Sequence, residues 1–202
     1  MPKIVDHEKR RKQIAEATWR IILDMGMEGA TVRNIAKEAN LSLGAVRHYF
    51  STQDELLEYT MELVKEKAAA RINAIMMRDI PMKEKVLNIL LEMVPTNKET
   101  LAETEVWLTF TFYARKRKEL FNPQHDGILN GLKKLIDYLD KAKLLKNSLD
   151  KDIETERLYA LIDGLAVHAI LEPDRLTKKR ISQVLVQQID LLWADNPDEN
   201  GG

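Results

Sequence analysis

The sequence predicts an all-α protein, with an N-terminal three-helix domain followed by a C-terminal helical bundle that forms a two-fold dimer. Three observations carry this. Apolar residues recur at three- and four-residue spacing through most of the 202 positions. The strong punctuation (Gly26, Asn40, Pro81, Pro95, Pro123, Pro173) falls between those periodic segments and not inside them. No segment alternates apolar and polar residues between turn signals of β type.

The first helix spans about residues 6–25 and stops at Gly26. Thr31 is an N-cap for a second helix over 32–39, whose Val32, Ile35, Ala36 and Ala39 stand at helical spacing. Asn40-Leu41-Ser42 makes a sharp turn, because Asn tolerates the left-handed backbone. Ser42 caps a third helix over 43–49, with Val46, Tyr49 and Phe50 inward. A fourth opens with the capping box Thr52-Gln53-Asp54-Glu55 and runs to about Met77, where Asp79-Ile80-Pro81 breaks it. Further helices cover about 82–94, ended by Pro95; 98–120, ended by Asn122-Pro123; and 126–143, followed by a loop at Asn147–Asp150. The last pair, 153–171 and 177–193, is separated by Glu172-Pro173-Asp174, and the polar tail 196–202 is expected to be disordered. Domain boundaries are accordingly placed at 1–52, 53–195 and 196–202.

The segment Thr31–Leu57 is the most informative. Ala36, Asn40 and Val46 supply a small residue at a helix crossing, a turn former four positions on and a branched apolar plug in the next helix. A helix-turn-helix needs these three features, and the motif presents its second helix to the DNA major groove.

The run Ile14–Leu57 resembles the DNA-binding domain of the tetracycline-repressor (TetR) family of bacterial transcription regulators. The matching residues are Ile14, Ala17, Gly26, Thr31, Val32, Ile35, Ala36, Leu41, Ser42, Gly44, Tyr49, Phe50, Leu56 and Leu57. Two positions depart from the family pattern: Arg47 stands where Tyr is usual, and Gln53 where Lys is usual. The segment LIDGLAVHAIL, residues 161–171, also resembles, weakly, the branch that includes the choline-response repressor.

Motif geometry and family position together nominate Thr31, Arg33, Ser42, Leu43, Gly44, Ala45, Arg47, His48, Tyr49 and Gln53 as the DNA-facing set. Gly44 and Ala45 let the helix backbone approach the bases, and an Ala methyl suits a thymine methyl. Arg47 is able to read guanine or hold a phosphate, and Thr31 and Arg33 look placed for phosphates at a helix start. Solvated arginine is the plain alternative for Arg33 and Arg47, and Tyr49 divides between core and DNA. Residues 1–50 hold nine Lys/Arg against six Asp/Glu, so only this part has the sign that phosphates attract; the remainder is net acidic. Lys9-Arg10-Arg11-Lys12 sharpens the asymmetry, and the resemblance implies that this end of the first helix lies close to DNA.

Apolar residues at 45% allow a full core. The absence of cysteine excludes disulfides, thiolate metal sites and cysteine nucleophiles. The four histidines, at 7, 48, 125 and 168, have no metal-ligand spacing, and no cofactor fingerprint or nucleophile–base pair occurs, so no metal, cofactor or enzyme activity is expected. The charged opening MPKIVDHEKRRKQ lacks a signal-peptide core and no window nears 18 uninterrupted apolar residues, so a cytoplasmic protein without membrane association is expected.

The last two helices carry more apolar residues than one side of a monomer needs, which predicts a dimer through Leu161, Gly164, Leu165, His168, Leu185, Ile189 and Leu192. Family resemblance implies a small-molecule pocket. Trp107, Phe110, Thr111 and Tyr113 with His168 are its candidates, although aromatics at this spacing are more often core, and a histidine flanked like His168 is more often a satisfied buried one. Glu105 beside Trp107 and Tyr113 would suit a cation. The expected protein is a ligand-responsive regulator, most simply a repressor, that binds a palindromic double-stranded operator as a homodimer and is released by a small molecule. The rival is a helical protein–protein adaptor that has lost DNA binding.

Overall fold

The computed structural model describes residues 2–114 and 127–194, with residues 2–6 as backbone only. The run Arg115-Lys116-Arg117-Lys118, the Asn122-Pro123 stop, His125 and the tail 196–202 lie outside the described residues. Nine helices follow one another among the described residues: α1 Pro2–Gly29, α2 Val32–Glu38, α3 Leu43–Tyr49, α4 Gln53–Met76, α5 Met82–Leu91, α6 Lys98–Ala114, α7 Gly127–Lys141, α8 Lys151–Leu171 and α9 Lys178–Leu192. No strand occurs among them; an isolated bridge pairs Leu145 with Trp193 and ties the end of α9 to the loop after α7.

The helix ends follow side-chain chemistry. Thr31, Ser42 and Thr177 each accept, through the hydroxyl oxygen, a backbone N–H three residues on, and Asp150 accepts two, from Asp152 and Ile153. Each such cap contributes about 1 kcal/mol. Asp150 therefore starts α8 at Lys151, two residues before the position expected from apolar spacing alone. Gly26, at φ 68°, interrupts α1 where the sequence places its end, and helical turns resume as far as Gly29. Among α-helix exits, α2 and α7 share one solution. Asn40 and Lys143 take left-handed backbone (φ 54° and 57°), and the N–H of Leu41 bonds Ala36 O while that of Leu144 bonds Leu139 O, both at 2.9 Å. This is the Schellman arrangement, which satisfies carbonyls a helix end would otherwise leave open.

The chain divides into two compact units. The first runs to Ala70 and takes in the chain from Ala102 through the rest of α6; the second holds Arg71–Leu101 with α7, α8 and α9. The expected boundary at residue 52 differs from this for a packing reason. Leu56, Leu57 and Met61 of α4 and Val106 of α6 are buried with Ile14, Ile35, Val46 and Phe50 in the first unit's core. In the second unit Leu90, Leu132, Ile136, Leu139, Leu158, Ile162, Ile181 and Leu185 are almost wholly inaccessible and form one cluster.

Candidate nucleic-acid interface

The helix-turn-helix is set by burial on one side and side-chain ties on the other. Ile35, Ala36, Ala39 and Val46 are buried where α2 and α3 cross, so the opposite faces are turned outward. Thr31, Arg33, Ser42, Leu43, Gly44, Arg47 and His48 are exposed; Ala45, Tyr49 and Gln53 are half-buried. A Cβ built on Gly44 would meet only Ser42 Oγ, at 4.0 Å, so the recognition helix offers nearly bare backbone there. Because the Thr31 and Ser42 oxygens accept the capping N–H bonds, their hydroxyl protons stay available to donate to a phosphate. Tyr49 meets two imidazoles, His7 in a tilted arrangement at 4.8 Å and His48 edge-on at 5.2 Å between ring centroids.

Four side chains outside the exposed face hold carbonyls of the motif. Gln13 Nε2 donates to Ala39 O at 2.8 Å and is itself oriented by Arg10, which donates to Gln13 Oε1. Asn34 Nδ2 donates to Gly29 O at 2.9 Å, and Gln53 Nε2 to Ala30 O at 2.8 Å. Arg11 Nη1 donates to Tyr49 O at 2.7 Å and to Glu55 Oε1 at 3.2 Å. One of the two N–H groups of the Gln53 amide goes to the Ala30 carbonyl, so this residue supports the motif from within. One expectation is corrected here. Within the basic cluster only Lys9 and Lys12 are exposed; Arg11 turns inward over the rings of Phe50 and Tyr59, 4.2 and 4.6 Å from their centroids. The signal is present in the spacing, since position 11 continues the buried stripe of Ile14, Ala15 and Thr18 back by one turn. Burial, together with the hydrogen bond it donates to Glu8, pushes the Tyr59 phenol up to about 12.

The aromatic candidates on α6 fall in a different place from that expected. Trp107, Phe110 and Tyr113 pack on the core of the first unit, around Val106. The Thr111 hydroxyl donates to Trp107 O at 2.9 Å within its own helix. His168 is exposed, not buried, and stands 3.5 Å from the Glu172 carboxylate one turn on. The second unit instead holds an apolar cavity of about 10 Å³, lined by Val86, Leu90, Leu135, Leu158, Leu192, Trp193 and neighbours, and by Gln188. The buried Gln188 Nε2 has no hydrogen-bond partner among the described residues, a feature without a signal in the sequence.

The dimer candidates divide. Leu165, Leu185, Ile189 and Leu192 are buried in the second unit's own core and are not available to a second chain. Their apolar stripe is consumed internally, and periodicity alone does not say against what. Leu161 is half-buried, while Gly164 and His168 are exposed, and a Cβ on Gly164 would meet nothing within 4 Å.

A capped two-helix motif with an open, small-residue recognition face, followed by a helical domain with its own core, defines a helix-turn-helix transcription regulator. Comparison with known proteins gives the family. Residues 14–60 match the model of the bacterial regulatory proteins of the tetR family, and residues 82–194 match the C-terminal domain of BetI-type transcriptional repressors. The chain is 62% identical over 199 residues to the HTH-type transcriptional regulator PksA of Bacillus subtilis (strain 168), spanning 98% of this chain and 97% of the relative. It is 30% identical over 196 residues to the HTH-type transcriptional regulator BetI of Burkholderia thailandensis, spanning 96% and 98%. The chain belongs to the TetR family. The same fold occurs in a transcriptional regulator from Rhodococcus sp. Rha1 (TM-score 0.81, 24% identity, 93% of this chain and 99% of that one). It also occurs in a putative regulator from Saccharomonospora viridis solved in complex with choline (TM-score 0.78, 22% identity, 94% and 100%).

Proposed function

We propose that this TetR-family regulator is a cytoplasmic repressor that binds a palindromic operator as a homodimer and is released by a small molecule. The observation that carries the reading is the exposed face Ser42–His48 of α3, held by caps and carbonyl ties while its other side is buried. Arg47 and His48 are the base- or phosphate-reading groups, Gly44 and Ala45 the point of closest approach, and Thr31, Arg33 and Ser42 the phosphate contacts. Two copies set roughly 34–36 Å apart read successive major grooves on one side of the duplex. Among the described residues no helix is long and apolar enough to cross a membrane.

The surface left for a second copy is the exposed side of α8 and α9: Ile153, Ala160, Gly164, His168 and Leu171 on one, Val186 and Leu191 on the other. Effector binding is assigned to the Gln188 cavity in preference to the α6 aromatics, because these pack in the core of the DNA-binding unit. The cavity is near the lower limit for holding one water, so an effector must part the surrounding helices to enter. It therefore favours an expanded state over the closed one, which is the differential affinity that release from DNA requires. Its lining suits an uncharged, largely apolar molecule with a hydrogen-bond acceptor for Gln188.

The test is binding of the purified protein to duplex DNA from upstream of its own gene, at several salt concentrations. Specific retention that weakens steeply with salt, with a footprint of two half-sites, is expected. Equal affinity for operator and random DNA would overturn the reading, and no DNA binding at all would favour a protein–protein adaptor.

A further inference from the structure

We propose that Arg11 is a positioning residue for the recognition helix: it fixes the exit of α3 through Tyr49 and Glu55 and is not a phosphate contact. The inference rests on the DNA-binding reading above. Recognition helix α3 has only seven residues, about 10 Å of length, and a short helix is oriented by what holds its ends. Its entry is fixed by the Ser42 cap. Its exit leaves the Tyr49 carbonyl with no partner in the helix, and Arg11 Nη1 occupies that position at 2.7 Å. A cation at a helix C-terminus is also favoured by the helix dipole.

The interaction belongs to a closed ring. Arg11 Nη1 also donates to Glu55 Oε1 at 3.2 Å, and Glu55 Oε2 accepts the Ser51 N–H at 2.9 Å. Between them, Phe50 is buried, with its ring 4.2 Å from the guanidinium carbon. Three successive residues are thus held by a carbonyl, a ring and an N–H. The guanidinium also lies 4.6 Å from the ring of Tyr59, which is tied to α1 by the bond it donates to Glu8. One side chain from α1 therefore joins the end of α3 to the first turns of α4.

This geometry separates Arg11 from its neighbours in the basic run. Its side chain is only 20% exposed and its charge is matched by Glu55, so it has little to contribute to counterion release. Lys9 and Lys12 are exposed and carry that role. Lysine is a poor replacement for Arg11, because its compact, strongly hydrated ammonium lacks the planar delocalised group that packs against the Phe50 and Tyr59 rings while donating to Tyr49 and Glu55.

The experiment compares Arg11→Lys, Arg11→Met, Glu55→Gln and Lys9→Ala/Lys12→Ala with the parent protein, using the upstream duplex and a random duplex across a salt series. Folding is checked by circular dichroism. Arg11→Lys is expected to lose about tenfold or more in operator affinity, with a lower operator-to-random ratio and an unchanged salt slope. The double lysine variant should weaken both duplexes alike and lower the slope by about 0.9 for each phosphate that is no longer neutralised. A merely structural role would lower stability and leave the operator-to-random ratio of the folded protein intact. Should Arg11→Lys fail to fold, Glu55→Gln opens the same ring and must lower the ratio at constant slope. The inference is overturned if the folded variant, Arg11→Lys or in its place Glu55→Gln, keeps the parent ratio, or if Arg11→Met reduces the slope as a lysine deletion does. Failure of the parent protein itself to prefer operator DNA would instead overturn the underlying DNA-binding reading.

Discussion

Gln53 closes the helix-turn-helix from behind, donating its side-chain amide to the carbonyl of Ala30, 23 residues earlier and 2.8 Å away. Ala30 is fully buried between α1 and α2, so few other groups can reach its oxygen. Gln53→Ala should therefore cost about 1 kcal/mol of stability, the net worth of one hydrogen bond at a partly buried site. Urea denaturation measures it. DNA affinity should fall by less than it does for an Arg47 variant; a larger fall at unchanged stability would show that the second amide N–H of Gln53 reaches DNA.

Arg47 is exposed on the open face of α3, and no tie of the kind that restrains Arg11 holds it among the described residues. Arg47→Ala is expected to weaken operator binding by about 1–3 kcal/mol and to relax preference at one base pair if the guanidinium reads a base edge. A purely phosphate role predicts a uniform loss across sequences and a shallower salt slope. Fluorescence anisotropy on operator variants separates the two, and unchanged affinity on every duplex would remove Arg47 from the interface.

The local parts of this interface are legible in the sequence because their causes are local. Thr31, Asn40 and Ser42 act on atoms within a few residues, so spacing suffices to place both caps and the left-handed turn. Val46 and Ala36 follow from a motif with fixed offsets. What spacing cannot give is the identity of the far partner. Arg11 has the composition of a phosphate ligand, and only the approach of Tyr49, Phe50 and Glu55, 38 to 44 positions away, turns it inward. The same limit applies to α6 and α9. Trp107 and Leu185 do belong to apolar stripes, but a stripe states that a face is covered and not by what. Trp107 packs with the DNA-binding unit, and Leu185 with the other unit's own core.

Trp107→Ala follows from that placement. The ring packs on a cluster containing Val106 and is itself half-buried, so truncation should cost about 3 kcal/mol, the low end for a large aromatic. Chemical denaturation reads the loss, and effector response in the surviving folded protein should be retained. Normal stability with a lost response would show that the ring touches the effector after all.

Gln188→Leu probes the cavity. The buried Nε2 without a partner is a cost to the closed state, and a leucine of similar volume removes the polar group while filling part of the void. A gain of about 1–2 kcal/mol in unfolding free energy is expected. Since the same change deletes the proposed donor to an effector and stabilises the closed packing, operator release should need more effector or fail. A destabilised variant would mean that the amide is satisfied in solution, by a water or by a rearranged neighbour.

Gly164→Leu tests assembly with little risk to the fold of the single chain. A Cβ at this position of α8 meets no atom within 4 Å, and the residue is exposed, so the added side chain enters open space. Replacing a mid-helix glycine should even favour the isolated helix by up to about 1 kcal/mol. If the exposed α8–α9 face receives a second copy, the same side chain instead stands where two helices must approach, with Ala160 and His168 one turn away on either side. Sedimentation should then show dissociation at concentrations where the parent is dimeric, with circular dichroism unchanged. Operator affinity should fall with it, because one half-site engages only one recognition helix. A dimer of parental strength after this substitution would place the two-fold axis elsewhere on the chain.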